Sequence, residues 1–597
     1  MKFLKTLLAS FLGCAIALFI AIMICIGVIG SLAFLGQSST PVIPKTGILK
    51  IDFKNVISER SIPASLNQII MGENSGTTTL YDAIRAIEKA ATDPGVKFIY
   101  MEPDNFSGPI AAMEEFRTAL ERFRASGKAI ISFTQTPTLG SYYLASVSDK
   151  IYMAPYGNGM ILGLGSQMIY FKDLLDKIGI NIQLIRHGKY KSAGEPYIKS
   201  EMSPENRRQN EEMLDAIWES LGEKMASARD ITIEELDSMI NGLELDSPED
   251  FIENGLIDGT ATKDQMSEKL CTLYEVEDEK DLSFIPFDDY AANNTVKSVS
   301  ANKIAVIYAD GEIVEGKSSE NIGGDSFSGQ LAEIRKDTTI RTIVFRVNSP
   351  GGSVSAAEKI KREIDLMKAQ GRTIIASYGS YAASGGYWIS AGCDYIFSDA
   401  TTLTGSIGVF SMIPEIGKAV KEKAHLNVYT IKTHEHADMF NLMRPLDSAE
   451  ERYMQASVDT IYTKFTKLVA QGRGMEVEDV DEIAQGRVWA GTEALEIGLV
   501  DQIGGLYDAI EYAAAVSGYT DYTVVQYPKP LTQLEMLMEQ FGGMGAMIDA
   551  LSGTPLPEGL TIEEAMLGHR IESAYGNLQE ISGKIYARLP WDYGFTF

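Results

Sequence analysis

The chain is poor in the residues that much enzyme chemistry relies on. Only four of its 597 residues are cysteine and five are histidine. Cys14 and Cys25 lie in an apolar N-terminal run, Cys271 and Cys393 are far apart, and none belongs to a CxxC pair or a Cys/His cluster. That spacing excludes a disulfide framework and a zinc site. His425, His434 and His436 sit in no partner motif and are given no catalytic or metal role. Positive charge is also scarce: 53 Lys and Arg against 81 Asp and Glu leave a net charge of −28. An acidic surface argues against nucleic acid as a partner and against anionic lipid as the main one. "GGSVSAAEK" (351–359) lacks the Gly-Lys-Ser/Thr ending of a phosphate loop. What remains is ordinary globular composition, 45% hydrophobic and 22% charged, in a chain long enough for several cores.

No charge occurs between Lys5 and Lys45. The stretch 7–35, "LLASFLGCAIALFIAIMICIGVIGSLAFL", exceeds the roughly 20 residues that span a bilayer and the about 7–15 of a secretory signal. "SLA" (31–33) mimics a cleavage site and "FLGC" (11–14) a lipoprotein acceptor, but the apolar run continues past both. An uncleaved transmembrane anchor is expected within residues 1–40. Lysines before the span and none soon after it place the N-terminus in the cytoplasm and the remainder outside.

The chain reads twice. "GPIAAMEEFRTALERFRASGKAIISF" (108–133) aligns without a gap on "GSVSAAEKIKREIDLMKAQGRTIIAS" (352–377) at an offset of 244 residues. "ENGLIDG" (253–259) echoes "EIGLVDQIG" (496–504). So long a period means a duplicated domain rather than a solenoid. Strand and helix patterns alternate in each half, which predicts α/β units with crossover helices. The expected layout is a first domain over 46–276, a polar linker over 277–302, a second domain over 303–530 and an unassigned tail over 531–597.

The second half carries the motifs. "RVNSPGGSV" (346–354) is a strand end followed by a Gly-rich turn, which frees backbone N–H groups to face a ligand oxyanion. "SYAASGGYWISAG" (380–392) follows, with Ser384 at a strand-to-helix turn among small residues. Gly351 and Gly352 are then candidate oxyanion donors, with the amide of Gly385 as a further one. At the 244-residue offset, Gly140 stands where Ser384 does, so the first half has no nucleophile. Near the same offset from "GKYKSAGEPY" (188–197), the second half reads "IKTHEHADMF" (431–440), with no lysine that aligns with Lys191 once small gaps are allowed. Arg346 is expected to pack on the surface.

"VNSPGGSV", "SYAASGGYWIS" and "TLTGSIGV" (402–409) resemble the signal peptide peptidase A family of serine–lysine peptidases, in its long, duplicated, membrane-anchored form. The resemblance covers residues 1 to about 530. It implies the crotonase-like fold of the Clp protease subunit and Ser384 as nucleophile. It implies Lys191, in "GKYKSAGEPY" (188–197), as base, ahead of its neighbours Lys189 and Lys199, and Ser406 as the residue that orients the lysine. It further implies a homotetramer, no cofactor or metal, cleaved signal peptides and other apolar peptides as substrates, and a site outside the cytoplasmic face of the inner membrane. A lysine base must be neutral, so it requires burial and hydroxyl partners; a carboxylate would stabilise the ammonium. Glu195 is therefore expected not to touch the Lys191 amine. Two rivals are a crotonase-type acyl-CoA enzyme and a catalytically silent membrane scaffold. No basic cluster for CoA phosphates stands beside the motif, and both Ser384 and Lys191 are retained.

Overall fold

The structure, a computed structural model, describes residues 43–60, 78–293, 300–529 and 584–589. The predicted membrane span lies outside the described residues. Among the described residues no helix is long and apolar enough to cross a membrane.

The duplication is visible element by element. Helices Leu80–Thr92 and Gly324–Lys336 each have 13 residues and are separated by the offset seen in the sequence. Helices Ile110–Ala125 and Val354–Ala369 each have 16 and obey the same offset. Local chemistry sets where they start. The Thr79 hydroxyl accepts from the amide of Asp82, and the Ser353 hydroxyl accepts from the amide of Ala356, each satisfying one free donor of a first turn. Both helices of each pair follow short strands or turns and return the chain to a parallel sheet, as crossover connections must.

The first sheet has six strands in the order Gly259–Thr260, Lys150–Met153, Ile130–Thr134, Val96–Met101, Gly47–Ile51 and Phe284–Pro286, every neighbour parallel. The second is built around Lys303–Asp310, Ile340–Ser349 and Thr373–Ala383, also parallel. Their central strands are buried along nearly their whole length, the pattern of sheets covered on both faces. Residues 277–302, read as a linker from their polarity, are only partly one. Phe284–Pro286 forms the edge strand of the first sheet, and helix Phe287–Asn293 buries Phe287, Tyr290 and Ala291.

A third sheet joins the halves. Strand Asn181–His187, from the first half, pairs antiparallel with Val409–Glu415, from the second, over seven residue pairs. The same sheet holds Gly351–Ser353 and, beside it, Tyr586–Arg588. The core of the first half also takes in Ala383, Leu403 and Val488 of the second.

Arg346 corrects the surface expectation. It is 1% exposed and binds Glu59 with both Nε and Nη2, at 3.0 and 2.8 Å, and Glu115 at 2.6 Å. Nearby, Glu114 accepts from the Thr401 amide and hydroxyl and pairs with Lys224 at 2.7 Å. An arginine on a sheet face is read as exposed when one domain is considered alone; here the other half covers that face with its own acids. Burial pushes the Glu115 carboxyl up, against the pull of Arg346.

Candidate active site

Strand Thr373–Ala383 has 11 residues, against five in its first-half counterpart Ile130–Thr134. The extra length carries the chain out to Ser384, which caps helix Gly385–Ser390. Ser384 has φ 54° and ψ −109°, a backbone state that costs a non-glycine residue about 1–3 kcal/mol and is kept only where surroundings enforce it. Its amide donates to the Gly405 carbonyl at 2.8 Å, and the Trp388 amide donates to its carbonyl at 2.8 Å.

Lys191 arrives from the other half. Strand Asn181–His187 ends, Gly188 turns the chain at φ 105°, and the Tyr190 amide donates to the Gln485 carbonyl at 2.9 Å. Lys191 Nζ then lies 2.8 Å from Ser384 Oγ, 3.0 Å from Ser406 Oγ and 3.1 Å from the Ser406 carbonyl; a neutral amine donates its two N–H groups to the Ser406 oxygens and accepts from the Ser384 hydroxyl. Lys191, Ser384 and Ser406 are each fully buried. Burial alone holds the Lys191 amine well below the ordinary lysine pKa, because desolvation penalises the charged form.

The other candidates sort by geometry. Lys189 lies over the Tyr190 ring, and Lys199 pairs with Glu195 at 3.3 Å in a part-exposed position. The Glu195 carboxylate accepts from the Ser203 amide at 2.7 Å and the Ser203 hydroxyl at 3.0 Å. It thus braces the turn after the lysine, while the amine's partners are two hydroxyls and a carbonyl.

The Gly-rich turn divides its labour in a way the sequence did not separate. Gly351 has φ 98°, and its amide donates to Ser349 Oγ at 3.2 Å. A β-carbon there would stand 2.6 Å from the Gly385 nitrogen, so only glycine leaves room between the two segments. Gly352 keeps its amide toward the strand that lies alongside. A β-carbon placed on Gly385 would stand 3.1 Å from the Gly352 nitrogen, so the two amides border one small space beside Ser384.

A cavity of about 1080 Å³ adjoins the turn, lined among others by Ser353, Val354, Trp388 and Ile585. Elsewhere, donor atoms of His436, Asp447 and Glu450 come within 4.8 Å of one another. Arg444 already donates to both Glu450 oxygens, at 2.7 and 2.8 Å, and to Asp438 at 2.6 Å, so that cluster carries its own cation.

A buried serine hydroxyl thus stands beside a buried, hydroxyl-bound amine, the two supplied by different members of a pair of repeated α/β units. Comparison with known families matches residues 122–277 and 367–519 to Peptidase family S49, and the chain belongs to that family. It is 31% identical to "Protease 4" of Salmonella typhi over 96% of this chain and 93% of that one. It is 32% identical to "Protease 4" of Haemophilus influenzae, over 75% and 74% of the two chains. It is 31% identical to "Serine protease SPPA, chloroplastic" of Arabidopsis thaliana, over 80% and 72%. Among solved structures, a mutant ClpP1 from Listeria monocytogenes matches 35% of this chain and 95% of its own, at 17% identity and a TM-score of 0.23.

Proposed function

We propose that the protein is a serine endopeptidase in which Ser384 is the nucleophile and Lys191 the general base. One observation carries this reading: the desolvated Lys191 amine sits 2.8 Å from Ser384 Oγ with hydroxyl and carbonyl partners only. Neutral Lys191 takes the hydroxyl proton as Ser384 attacks the substrate carbonyl, then returns it to the leaving amine. The amides of Gly352 and Gly385 receive the oxyanion, and Gly351 maintains the space between them. Water resolves the acyl-enzyme with the same lysine as base. Ser406 holds the amine in line without restoring its preference for charge.

The finer parts of the reading rest on the family. The two units take the crotonase/Clp-protease-like fold, and residues 7–35 anchor the chain as a single transmembrane helix. The catalytic part then lies on the outer side of the inner membrane, in a homotetramer that admits unfolded chains. The substrates are cleaved signal peptides and similar apolar segments; no cofactor is required. An acyl-CoA enzyme of the same fold would not need the serine–lysine contact, and a silent scaffold would not need a strained, desolvated one.

A serine-reactive phosphonate probe tests the dyad. Labelling of the wild type is expected, with loss in both Ser384→Ala and Lys191→Ala. Labelling that survives Ser384→Ala overturns the assignment.

A further inference from the structure

Helix Pro204–Ala228 buries a stripe of Met213, Ile217, Leu221 and Met225 in the first core. Carried back toward the helix start, that spacing reaches Asn206, Gln209 and Asn210, which are buried as well. Apolar side chains would continue the stripe. A buried amide costs stability unless it is hydrogen-bonded, so its partners show what it is there to hold. The duplication offers a comparison. Helix Ser448–Arg473 begins at the repeat offset from Pro204, and Tyr453, which stands where Gln209 does, is 66% exposed. The buried glutamine thus belongs to the half that carries the lysine.

Gln209 binds in two directions. Its Nε2 donates to Ser192 Oγ at 3.0 Å and to the Tyr190 carbonyl at 3.3 Å, the residues on either side of Lys191, and lies 3.3 Å from Asn206 Oδ1 within its own helix. Its Oε1 accepts from the Val488 amide of the second half at 3.3 Å. The carbonyl of that same peptide unit, on Arg487, accepts from the Ser406 amide at 2.7 Å. One peptide plane therefore separates the Gln209 side chain from the backbone of Ser406, which is held at φ 49°. The helix start is itself tied to the lysine loop, because Ser203 caps it and binds Glu195.

We infer that Gln209 is a positioning residue of the serine–lysine site: its one side chain fixes the root of the Lys191 stem relative to the Ser406 backbone. The inference rests on the peptidase reading above. Lysine reaches its partners through a flexible four-carbon stem, so the amine is placed only as well as its root is. Gln209 holds both flanks of that root and, through one peptide unit, the strand that presents Ser406. It touches neither Ser384 nor the amine. A primary amide suits the task, because it donates to the lysine loop and accepts from the second half while bringing no charge that would draw a proton onto the amine. Loosening this tie admits water to a base whose pKa is lowered by burial alone, so the amine regains part of its preference for charge.

The rate of labelling by the serine-reactive phosphonate, followed against pH and probe concentration in the full chain, tests this without a known substrate. Gln209→Met keeps the length of the side chain and removes its bonds. At about pH 7 its maximal labelling rate should fall about tenfold, with the half-saturating probe concentration unchanged. The acid limb of the rate profile should move up by about 0.7 pH unit, the equivalent of one hydrogen bond, so that the deficit narrows toward alkaline pH. A wild-type rate, a change in half-saturation alone, or a slower rate with the limb unmoved overturns the inference; the last is what a purely structural role gives. Should Gln209→Met fail to fold, Ser192→Ala, which removes one acceptor, decides: a smaller shift of the limb in the same direction is expected, and an unmoved limb overturns the inference. Each of these results leaves the peptidase reading standing. A wild type that is not labelled, or labelling that survives Ser384→Ala, overturns that reading and this one with it.

Discussion

Replacing Lys191 with methionine separates the cost of a neutral lysine from the bonds that hold it. In the unfolded chain the amine is charged up to a pKa of about 10.4, and each pH unit below that adds about 1.4 kcal/mol to the cost of burying it neutral. At about pH 7.5 that cost is about 4 kcal/mol. The amine makes three hydrogen bonds, to Ser384 Oγ, Ser406 Oγ and the Ser406 carbonyl, worth about 1 kcal/mol each. Methionine fills the space, escapes the first term and loses the second, so Lys191→Met should be about 1 kcal/mol more stable than wild type at that pH. The sign then reverses. The folded pKa is lowered, so between it and the unfolded value the unfolded chain binds the extra proton and wild-type stability rises with pH. By about pH 9.5 the neutralisation cost is only about 1.2 kcal/mol, and the variant should be about 2 kcal/mol less stable. Denaturant unfolding of both proteins at matched ionic strength, compared through their midpoints, reads the difference. A gap that stays constant across those two pH units refutes the reasoning, because Lys191 would then remain charged and could not act as base.

The same lowered pKa makes kcat/KM fall as pH drops through it and level off above it, measured on any peptide whose own ionisation is constant; a profile that rises toward acid would contradict a lysine base. Ser406→Ala removes one bond to the amine and should lower kcat about tenfold with little change in KM. Gly351→Ala puts a β-carbon 2.6 Å from the Gly385 nitrogen at φ 98°, and kcat/KM should fall about a hundredfold. Arg346→Met leaves Glu59 and Glu115 buried without their cation, and denaturant unfolding should show a loss of about 3–5 kcal/mol.

Much of this site was legible because its signals are local. The Gly-Gly turn and Ser384 before an apolar helix sit within a few tens of residues of each other, and each repeated segment is itself short and gap-free, so the helices of the two halves keep the 244-residue offset residue for residue. Lys191 was reached through motif order, since Lys189, Lys191 and Lys199 look alike by spacing; only the turn at Gly188 shows which amine enters. The pairing of Asn181–His187 with Val409–Glu415 was not legible. Strand partners more than 200 residues apart leave no mark in either segment's periodicity, and most of the first strand is only half-buried. Arg346 was misread for a related reason: its burial depends on acids from the other half. The polar stretch before residue 303 hid an edge strand, because an edge strand needs few apolar residues. Gly351 and Gly352 were indistinguishable until the neighbouring strand gave them different partners.

The division of the site follows from what a neutral lysine demands. An amine on a surface loop stays hydrated and charged. Lys191 loses its water because the second half closes on it: Gly486 lies so near that a β-carbon there would meet the Lys191 β-carbon at 2.6 Å, and a β-carbon on Gly408 would meet Cδ at 3.2 Å. The Gln485 carbonyl fixes the loop that carries the lysine. The first half alone would leave that stem in solvent, and the second half alone would hold a strained serine with no base. The buried Arg346–Glu59–Glu115 cluster lies on the same join, so the contacts that bind the halves and the contacts that dry the amine form together. The lowered pKa of Lys191 is thus a property of the assembled pair of halves, and the general base proposed for this acidic chain with five histidines depends on exclusion of water.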